Sequence, residues 1–193
     1  LQQTFQDFEL IISDNASTDE TESICRGYAK RDDRIRYFRT KQNVGAAANF
    51  NRVFDFSRGD YFKWSGHDSL HAPTYLEQTV DALDGDLSAV LAHAKTVAID
   101  DEGQRIPTFE ARQTPFDHTP SARGRSEVYD RNGRRLDAGS GPVRLNDLLM
   151  STNWCDELYG LVRRDALERT QLHQAFAGSG KVLLAQLCLL GRF

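Results

Sequence analysis

The stretch from Tyr61 to Pro73 reads YFKWSGHDSLHAP, and it holds the densest set of groups able to do chemistry. Asp68 lies between His67 and His71. Two histidines four apart on a helix would suit a zinc ion, with the intervening acid as base. That pattern asks for glutamate where Asp68 stands, and Gly66 and Pro73 argue for a loop rather than a helix interior. A second candidate is AGSGKV, which has part of a phosphate-binding loop. Ala175 occupies the place of its first glycine, and Val182 the place of the Ser or Thr after Lys181, so this reading is set aside. The third reading uses Asp68 as ligand to a hard cation, Mg²⁺ or Mn²⁺, which takes oxygen donors and binds through one or two carboxylates plus substrate phosphates. Asp68 as a mere helix cap or turn residue explains the spacing equally well.

These residues need elements to position them. Phe8 to Ser13, FELIIS, predicts a strand, and Thr18 or Asp19 is placed to cap a helix running to about Lys30 with Ile24, Cys25 and Tyr28 on one face. Ile35 to Arg39 predicts a second strand. The turn at Asn43 to Gly45 leads into a helix whose buried side would carry Val44, Ala48 and Phe54 or Val53. Tyr61 to Ser65 predicts a third strand, Thr74 to Leu83 a helix with Pro73 in its first turn, and Ala89 to Ile99 a fourth strand. Strand and helix thus alternate over the first hundred residues, which implies an α/β fold with a mostly parallel sheet flanked by helices. Ligands of such sheets bind at the carboxyl ends of strands. Asp14 and Asp68 both follow such ends.

From Arg105 to Pro142 apolar residues are sparse, and the stretch reads as a functional loop, a lid or disorder. A short helix near Leu145 to Met150 follows, then a strand turning into a helix in ELYGLVRRDAL, then a packed apolar helix in KVLLAQLCLLGRF. The expected division is one domain over 1–193: a first half at 1–104, the loop or lid at 105–142, and a second half at 143–193.

With 193 residues, 39% hydrophobic and 27% charged, the chain reads as globular. Its net charge of −4 argues against a nucleic-acid binder. No apolar run approaches the ~18 residues that cross a bilayer, and no leader is expected at the start. Cys25, Cys155 and Cys188 form no CxxC pair and read as reduced, buried thiols, which suits a cytoplasmic protein. The sequon at Asn15-Ala16-Ser17 reads as chance.

Taken together, QTFQDFELIISDNASTDET, NVGAAANFN, GDYFKWSGHDSLHAPTYLE, LYGLVRRDAL and LLAQLCLLGRF, in that order, resemble family 2 glycosyltransferases of the nucleotide-diphosphosugar transferase (GT-A, Rossmann-like) fold. The resemblance implies inverting transfer of a sugar from a nucleotide-diphosphosugar donor to a hydroxyl of a saccharide or lipid-linked saccharide acceptor, in building cell-envelope polysaccharide. It implies that Asp14 contacts the nucleoside, with Asn15 beside it, and that Asn43 and Gly45 form the turn near the nucleotide. A plain turn and helix start would account for Asn43 and Gly45 as well. It implies that Asp68, the last aspartate of an Asp-x-Asp element, holds Mg²⁺ or Mn²⁺ on the diphosphate with help from His67. The cytoplasmic face of a membrane is the implied location, with peripheral membrane contact and a homodimer left open.

Three departures accompany the resemblance. Gly66 stands where the first aspartate of the Asp-x-Asp element belongs, and Ser69 where an acid often follows. Gly180 stands where the general base belongs, and Asp156 or Glu157 is the expected substitute, unless both are solvated strand-edge charges. The first family strand is absent, so LQQTF reads as the end of a helix and the chain as a truncated domain. The loop around Phe109 to Tyr129 is expected on the acceptor side, with Arg123 and Arg125 facing an anionic acceptor or the diphosphate. The alternative from another class is a catalytically degenerate protein that binds a nucleotide sugar or a partner without turnover.

Overall fold

The computed structural model of the chain describes residues 1–97, 99–100, 102–104, 136–151 and 156–193. Leu10 to Asp14, with two consecutive isoleucines, forms strand β1. Helix α1 (Thr21–Ala29) then crosses to β2 (Ile35–Arg39). β1 and β2 pair in parallel, in register from Leu10 opposite Ile35 to Asp14 opposite Arg39. This is the parallel pairing that the strand–helix alternation predicts. Helix α2 (Ala46–Phe56), strand β3 (Tyr61–Phe62), helix α3 (Tyr75–Gly85) and strand β4 (Leu91–Ala92) follow. Helix α4 (Gly141–Ser151) precedes a 3₁₀ turn (Asp156–Tyr159), strand β5 (Leu161–Arg163), and helices α5 (Arg164–Glu168) and α6 (Ser179–Leu190).

β5 lies between β3 and β4 and is antiparallel to both. It contributes three residues, so its partners are short. The third strand stops at Phe62 rather than Ser65, and the fourth shrinks from the expected Ala89–Ile99 to Leu91–Ala92. Arg163 reinforces this small sheet: its Nε donates to Ala89 O at 2.8 Å, and its Nη2 to Leu83 O.

One core joins the first and last parts of the chain. Phe54, Phe62 and Trp64 pack with Leu148, Val162, Leu167, Leu183, Leu184, Leu187 and Cys188. Leu83, Leu148, Leu167, Leu183 and Leu184 have no exposed surface, and each fully buried leucine contributes roughly 1.5–3 kcal/mol. The apolar character of α6 is thereby explained: it is covered on its Leu183–Leu187 side by α4 and the small sheet.

Several local expectations are corrected. Ile24 and Tyr28 on α1 are exposed, at 53% and 47%, because the narrow β1–β2 pair is too small to cover that face; Arg31 stacks on Tyr28 instead. Val44 and Ala48 are exposed, and Phe54 alone of the proposed α2 face is buried. No side chain caps α1, whose N-cap position is Glu20; Asp19 accepts from Thr21 N. Thr74 holds the N-cap of α3, which puts Pro73 outside the helix. Cys188 is buried and Cys25 half-buried, both free thiols, while Cys155 lies outside the described residues.

Gly191 ends α6 where a Cβ would strike Val90 Cγ1 and come within 2.7 Å of Ser88 O. Gly191→Ala is expected to cost about 1–3 kcal/mol through overpacking, read as a lowered midpoint in urea unfolding. A midpoint equal to that of the native chain would contradict the packing described for this corner.

Candidate functional site

The site begins at the carboxyl end of β1. The Asp14 side chain is wholly buried there. Its Oδ1 accepts from Ser17 N at 2.7 Å, its Oδ2 from the Tyr37 hydroxyl at 2.6 Å, and Arg39 Nε stands 3.3 Å away. Burial alone would raise its pKa. The Tyr37 and Ser17 hydrogen bonds and the Arg39 charge outweigh burial and hold it below the usual carboxylate value. The Tyr37 hydroxyl is pushed the other way, by burial and by its bond to Asp14. Asp14 therefore shapes the strand end and offers no open oxygen to a nucleoside in this state.

Its neighbours reach outward. Asn15 Oδ1 accepts from Val44 N at 2.9 Å, and its Nδ2 donates to Asn43 Oδ1 at 2.9 Å and Gly45 O at 3.5 Å. Asn43 Oδ1 also accepts from Gly45 N at 2.8 Å. Gly45 has φ +86°, a conformation that glycine adopts without strain. On the other side of Asp14, the Ser13 hydroxyl donates to Asn49 Oδ1 at 2.7 Å, and Asn49 Nδ2 donates to Ser13 O at 2.9 Å. Asn15, Asn43 and Gly45, expected together from the sequence, do meet, and they set the first turn of α2 against β1. No side chain caps that turn, so its N–H groups and dipole favour negative charge.

Arg39, Thr40, Lys41, Gln42 and Arg52 line a crevice of about 700 Å³ there, with Val44 and Ala48. Arg39 is shared between Asp14 and Glu22, the latter at 3.2 Å, and Arg52 Nη1 donates to Ser13 Oγ at 3.2 Å. Three cations beside an uncapped helix start can offset a polyanion. Sequence reasoning missed all three; the only local hint is that Arg39 ends a strand expected to abut a ligand crevice.

His67 and Asp68 stand exposed on the irregular loop between β3 and α3. The helix that the zinc reading requires is absent from this segment, and His71 rests edge-on against Tyr75, 5.0 Å between ring centres. Asp68 Oδ1 sits 2.6 Å from the place a Cβ on residue 66 would take. An aspartate at 66 would thus displace the carboxylate of Asp68, so the missing acid and the present posture of Asp68 are coupled. Among the described residues no three His, Cys, Asp or Glu side chains form a metal cage. A single exposed carboxylate suits a cation that arrives with a diphosphate and keeps its waters, rather than one caged by protein.

Lys63, just before the loop, links it to the second half. Its Nζ donates to Tyr159 O at 2.6 Å and Trp64 O at 3.1 Å and lies 5.0 Å over the Tyr75 ring. Burial pushes its pKa down to about 8. Nothing in the strand pattern signalled that this charge would turn inward.

Glu157 corrects an expectation. It is 1% exposed in the 3₁₀ turn, not a solvated strand-edge charge, because that turn packs against α6. The side chain of Asp156 lies outside the described residues, as do Phe109 to Tyr129 with Arg123 and Arg125. Gly180, at the start of α6, would place a Cβ 3.0 Å from Leu158 Cδ2, so Leu158 fills the space a larger residue would need. Leu158, Tyr159 and Gly180 also wall a second crevice of about 560 Å³, together with Val44 to Ala48, Phe50, and His173 to Ser179.

Comparison with known proteins returns one family model and several glycosyltransferases. The model of glycosyl transferase family 2 matches residues 1–144. A putative glycosyltransferase, EpsE, of Bacillus subtilis is 33% identical over 128 residues, covering 61% of this chain and 46% of that protein. An uncharacterised glycosyltransferase of Rickettsia typhi is 35% identical over 83 residues, covering 43% and 25%. The GalNAc(5)-diNAcBac-PP-undecaprenol β-1,3-glucosyltransferase of Campylobacter jejuni is 25% identical over 195 residues, covering 96% of this chain and 52% of that one. The chain thus spans about half the length, or less, of these relatives.

The buried carboxylate of Asp14 makes stability depend on pH. Its folded pKa lies below the unfolded value near 3.8, so its contribution is complete above that value and is lost as pH falls through the folded pKa. Asp14→Asn is expected to lower unfolding free energy at pH 7 by about 1–3 kcal/mol and to flatten the acid limb of stability against pH. An unchanged acid limb in urea titrations between pH 2 and pH 7 would refute this.

Proposed function

The chain belongs to glycosyl transferase family 2, whose fold is the α/β nucleotide-diphosphosugar transferase type, and from that premise we propose that it transfers a sugar from a nucleotide-diphosphosugar to an acceptor hydroxyl with inversion at the anomeric carbon. Family membership supports glycosyl transfer in general. The observation that carries the finer reading is the cationic crevice of Arg39, Lys41 and Arg52 at the carboxyl ends of a parallel strand pair, beside the uncapped start of α2.

The residues divide the work as follows. Arg39, Lys41 and Arg52 offset the charge of the diphosphate. The Asn15–Asn43–Gly45 junction holds the start of α2 against the end of β1, beside that crevice. Asp14 acts through this junction by keeping the strand end in place. Asp68, with His67 beside it, would hold Mg²⁺ or Mn²⁺. When bound, such a cation supplies electrostatic stabilisation to the departing nucleoside diphosphate. The acceptor hydroxyl must lose its proton as it attacks the anomeric carbon, and a positioned base contributes about 10²–10⁴-fold to such a step. Asp156 and Glu157, the carboxylates of the 3₁₀ turn, are the candidates for that base; Glu157 is 1% exposed and lines neither crevice, so it takes this role only if the turn opens toward the acceptor.

A second reading is favoured by Gly66 and Gly180. Leu158 has closed over Gly180 where the family resemblance places a base, which suits a protein that binds a nucleotide sugar without turnover. The acceptor is proposed to be a saccharide, free or lipid-linked, met in the cytoplasm at the inner face of the membrane during cell-envelope polysaccharide assembly. Among the described residues no helix is long and apolar enough to cross a membrane.

The test is transfer or donor hydrolysis by the full-length protein over UDP-, GDP- and dTDP-sugars with Mn²⁺. Asp68→Ala is expected to lower kcat/KM by about 100-fold or more, with removal of the cation doing the same to the native protein. Nucleotide binding without turnover in the native protein would favour the binding reading instead.

A further inference from the structure

Alternation along β3 and its exit sends Phe62 and Trp64 into the core and turns Tyr61 and Lys63 to the opposite face, where α3 lies. Tyr61 donates there to Asp84 of α3. Lys63 finds no carboxylate: among the described residues its ammonium meets the carbonyls of Tyr159 and Trp64 and the face of the Tyr75 ring. It is half-buried without a counter-charge, and burial holds its pKa down at about 8. A cation so placed lowers stability where an apolar side chain of similar length would not. A destabilising group kept inside a fold points to a task other than folding.

The Tyr159 carbonyl shows what that task is. Lys63 Nζ donates to it at 2.6 Å, and the Tyr75 hydroxyl donates to the same oxygen at 3.3 Å. Tyr75 is buried at the start of α3. Lys63 precedes the loop of Asp68 and Tyr75 follows it, so both ends of that loop grip one oxygen of the second half. Tyr159 closes the 3₁₀ turn that carries Asp156 and Glu157. Next to it, Gly160 has no room for a side chain: a Cβ would come within 2.9 Å of Ala92 O and of Leu91 Cδ2. The end of the turn is therefore fixed by two donors on one side and by β4 on the other, while His67 and Asp68 in the middle of the loop stay exposed.

We infer that Lys63 and Tyr75 are positioning residues for the proposed transfer: by holding the Tyr159 carbonyl from both ends of the loop, they set the separation between Asp68 and the turn of Asp156 and Glu157. This rests on the glycosyl-transfer reading and adds how the two halves of the site are kept in register. Neither residue lines a crevice, so both act through Tyr159. Any opening of the turn pivots at Tyr159, its held end. His71 of the loop and Tyr75 of α3 are the titratable groups that face the ammonium, and the turn presents the Tyr159 carbonyl. His71 is itself pushed below its ordinary value, by burial first, then by the Lys63 charge and the amino group of Leu1. The folded pKa of Lys63 lies below its unfolded 10.5, so the handicap of the buried charge is complete below about 8 and is relieved as pH rises from there to 10.5. The neutral amine keeps N–H groups for both carbonyls, so the grip outlasts the charge.

Lys63→Met, Lys63→Arg and Tyr75→Phe in the full-length protein test it, with donor hydrolysis read over UDP-, GDP- and dTDP-sugars and Mn²⁺. Lys63→Met removes a buried charge and is expected to keep the urea midpoint at pH 7 at or above the native one. Its kcat should nonetheless fall about tenfold, with donor KM within about twofold of native. A residue needed for folding alone gives the opposite pattern, a lowered midpoint with native kcat per folded molecule. Lys63→Arg keeps charged donors and should retain about half the native kcat or more, and Tyr75→Phe should lose about two- to threefold. Without donor, NMR of the native protein should show the Gly160 amide signal titrating with a midpoint of about 8, a step absent from Lys63→Met. Native kcat in Lys63→Met, a kcat loss that merely tracks a lowered midpoint, or no titration at Gly160 would each overturn the inference and leave the transferase reading standing. No turnover of any donor by the native protein would remove that reading, and the positioning role with it.

Discussion

A carboxylate with no contact to solvent sits at the end of β1, and its three partners decide where everything near it stands. Ser17 ties Asp14 to the loop that starts α1, Tyr37 ties it to the middle of β2, and Arg39 ties it to the end of β2. In a low-dielectric setting such bonds are strong, and breaking one leaves an uncompensated charge. Two strands form the whole of this parallel sheet among the described residues, and these bonds reinforce the register that their ladder sets. Ser13 and Asn15 flank Asp14 and, with that height set, both reach α2.

The consequence is felt at the first turn of α2. Gly45 accepts a left-handed φ there, Asn43 folds its amide back onto Gly45 N, and the helix begins without a cap. That turn separates two crevices, one lined by Arg39, Lys41 and Arg52 and one by Phe50, Tyr159 and Phe176. A single backbone junction therefore borders both crevices, and a shift in β1 would be transmitted to each.

The second half of the chain closes the site from the other side. α6 is buried along Leu183, Leu184 and Leu187, and its first residues meet Leu158 of the 3₁₀ turn. Lys63 pins the main chain of Tyr159 to the end of β3. The loop of Asp68 and the turn of Glu157 are thus anchored to one another through a lysine, although nearly a hundred residues separate them in sequence. The two glycines that depart from the family pattern are filled in place: Asp68 leans over Gly66, and Leu158 covers Gly180. Both losses are absorbed locally by neighbouring side chains.

By itself the sequence determined the alternation of strand and helix, the turn at Asn43 to Gly45, the loop character of Gly66 to Pro73 and the burial of the last helix. Each of these is written in local composition: β-branched runs, glycine and proline placement, and apolar residues at close spacing. Tertiary structure alone decided that Asp14 is consumed by Tyr37 and Arg39, that Ile24 and Tyr28 stay exposed, that Glu157 is buried, and that Arg39, Lys41 and Arg52 converge while Tyr159 and Phe176 line a separate crevice. The physical reason is the same throughout. A residue's pattern reports which side of its own element is apolar, whereas burial, charge pairing and pocket lining depend on which distant element arrives to cover it.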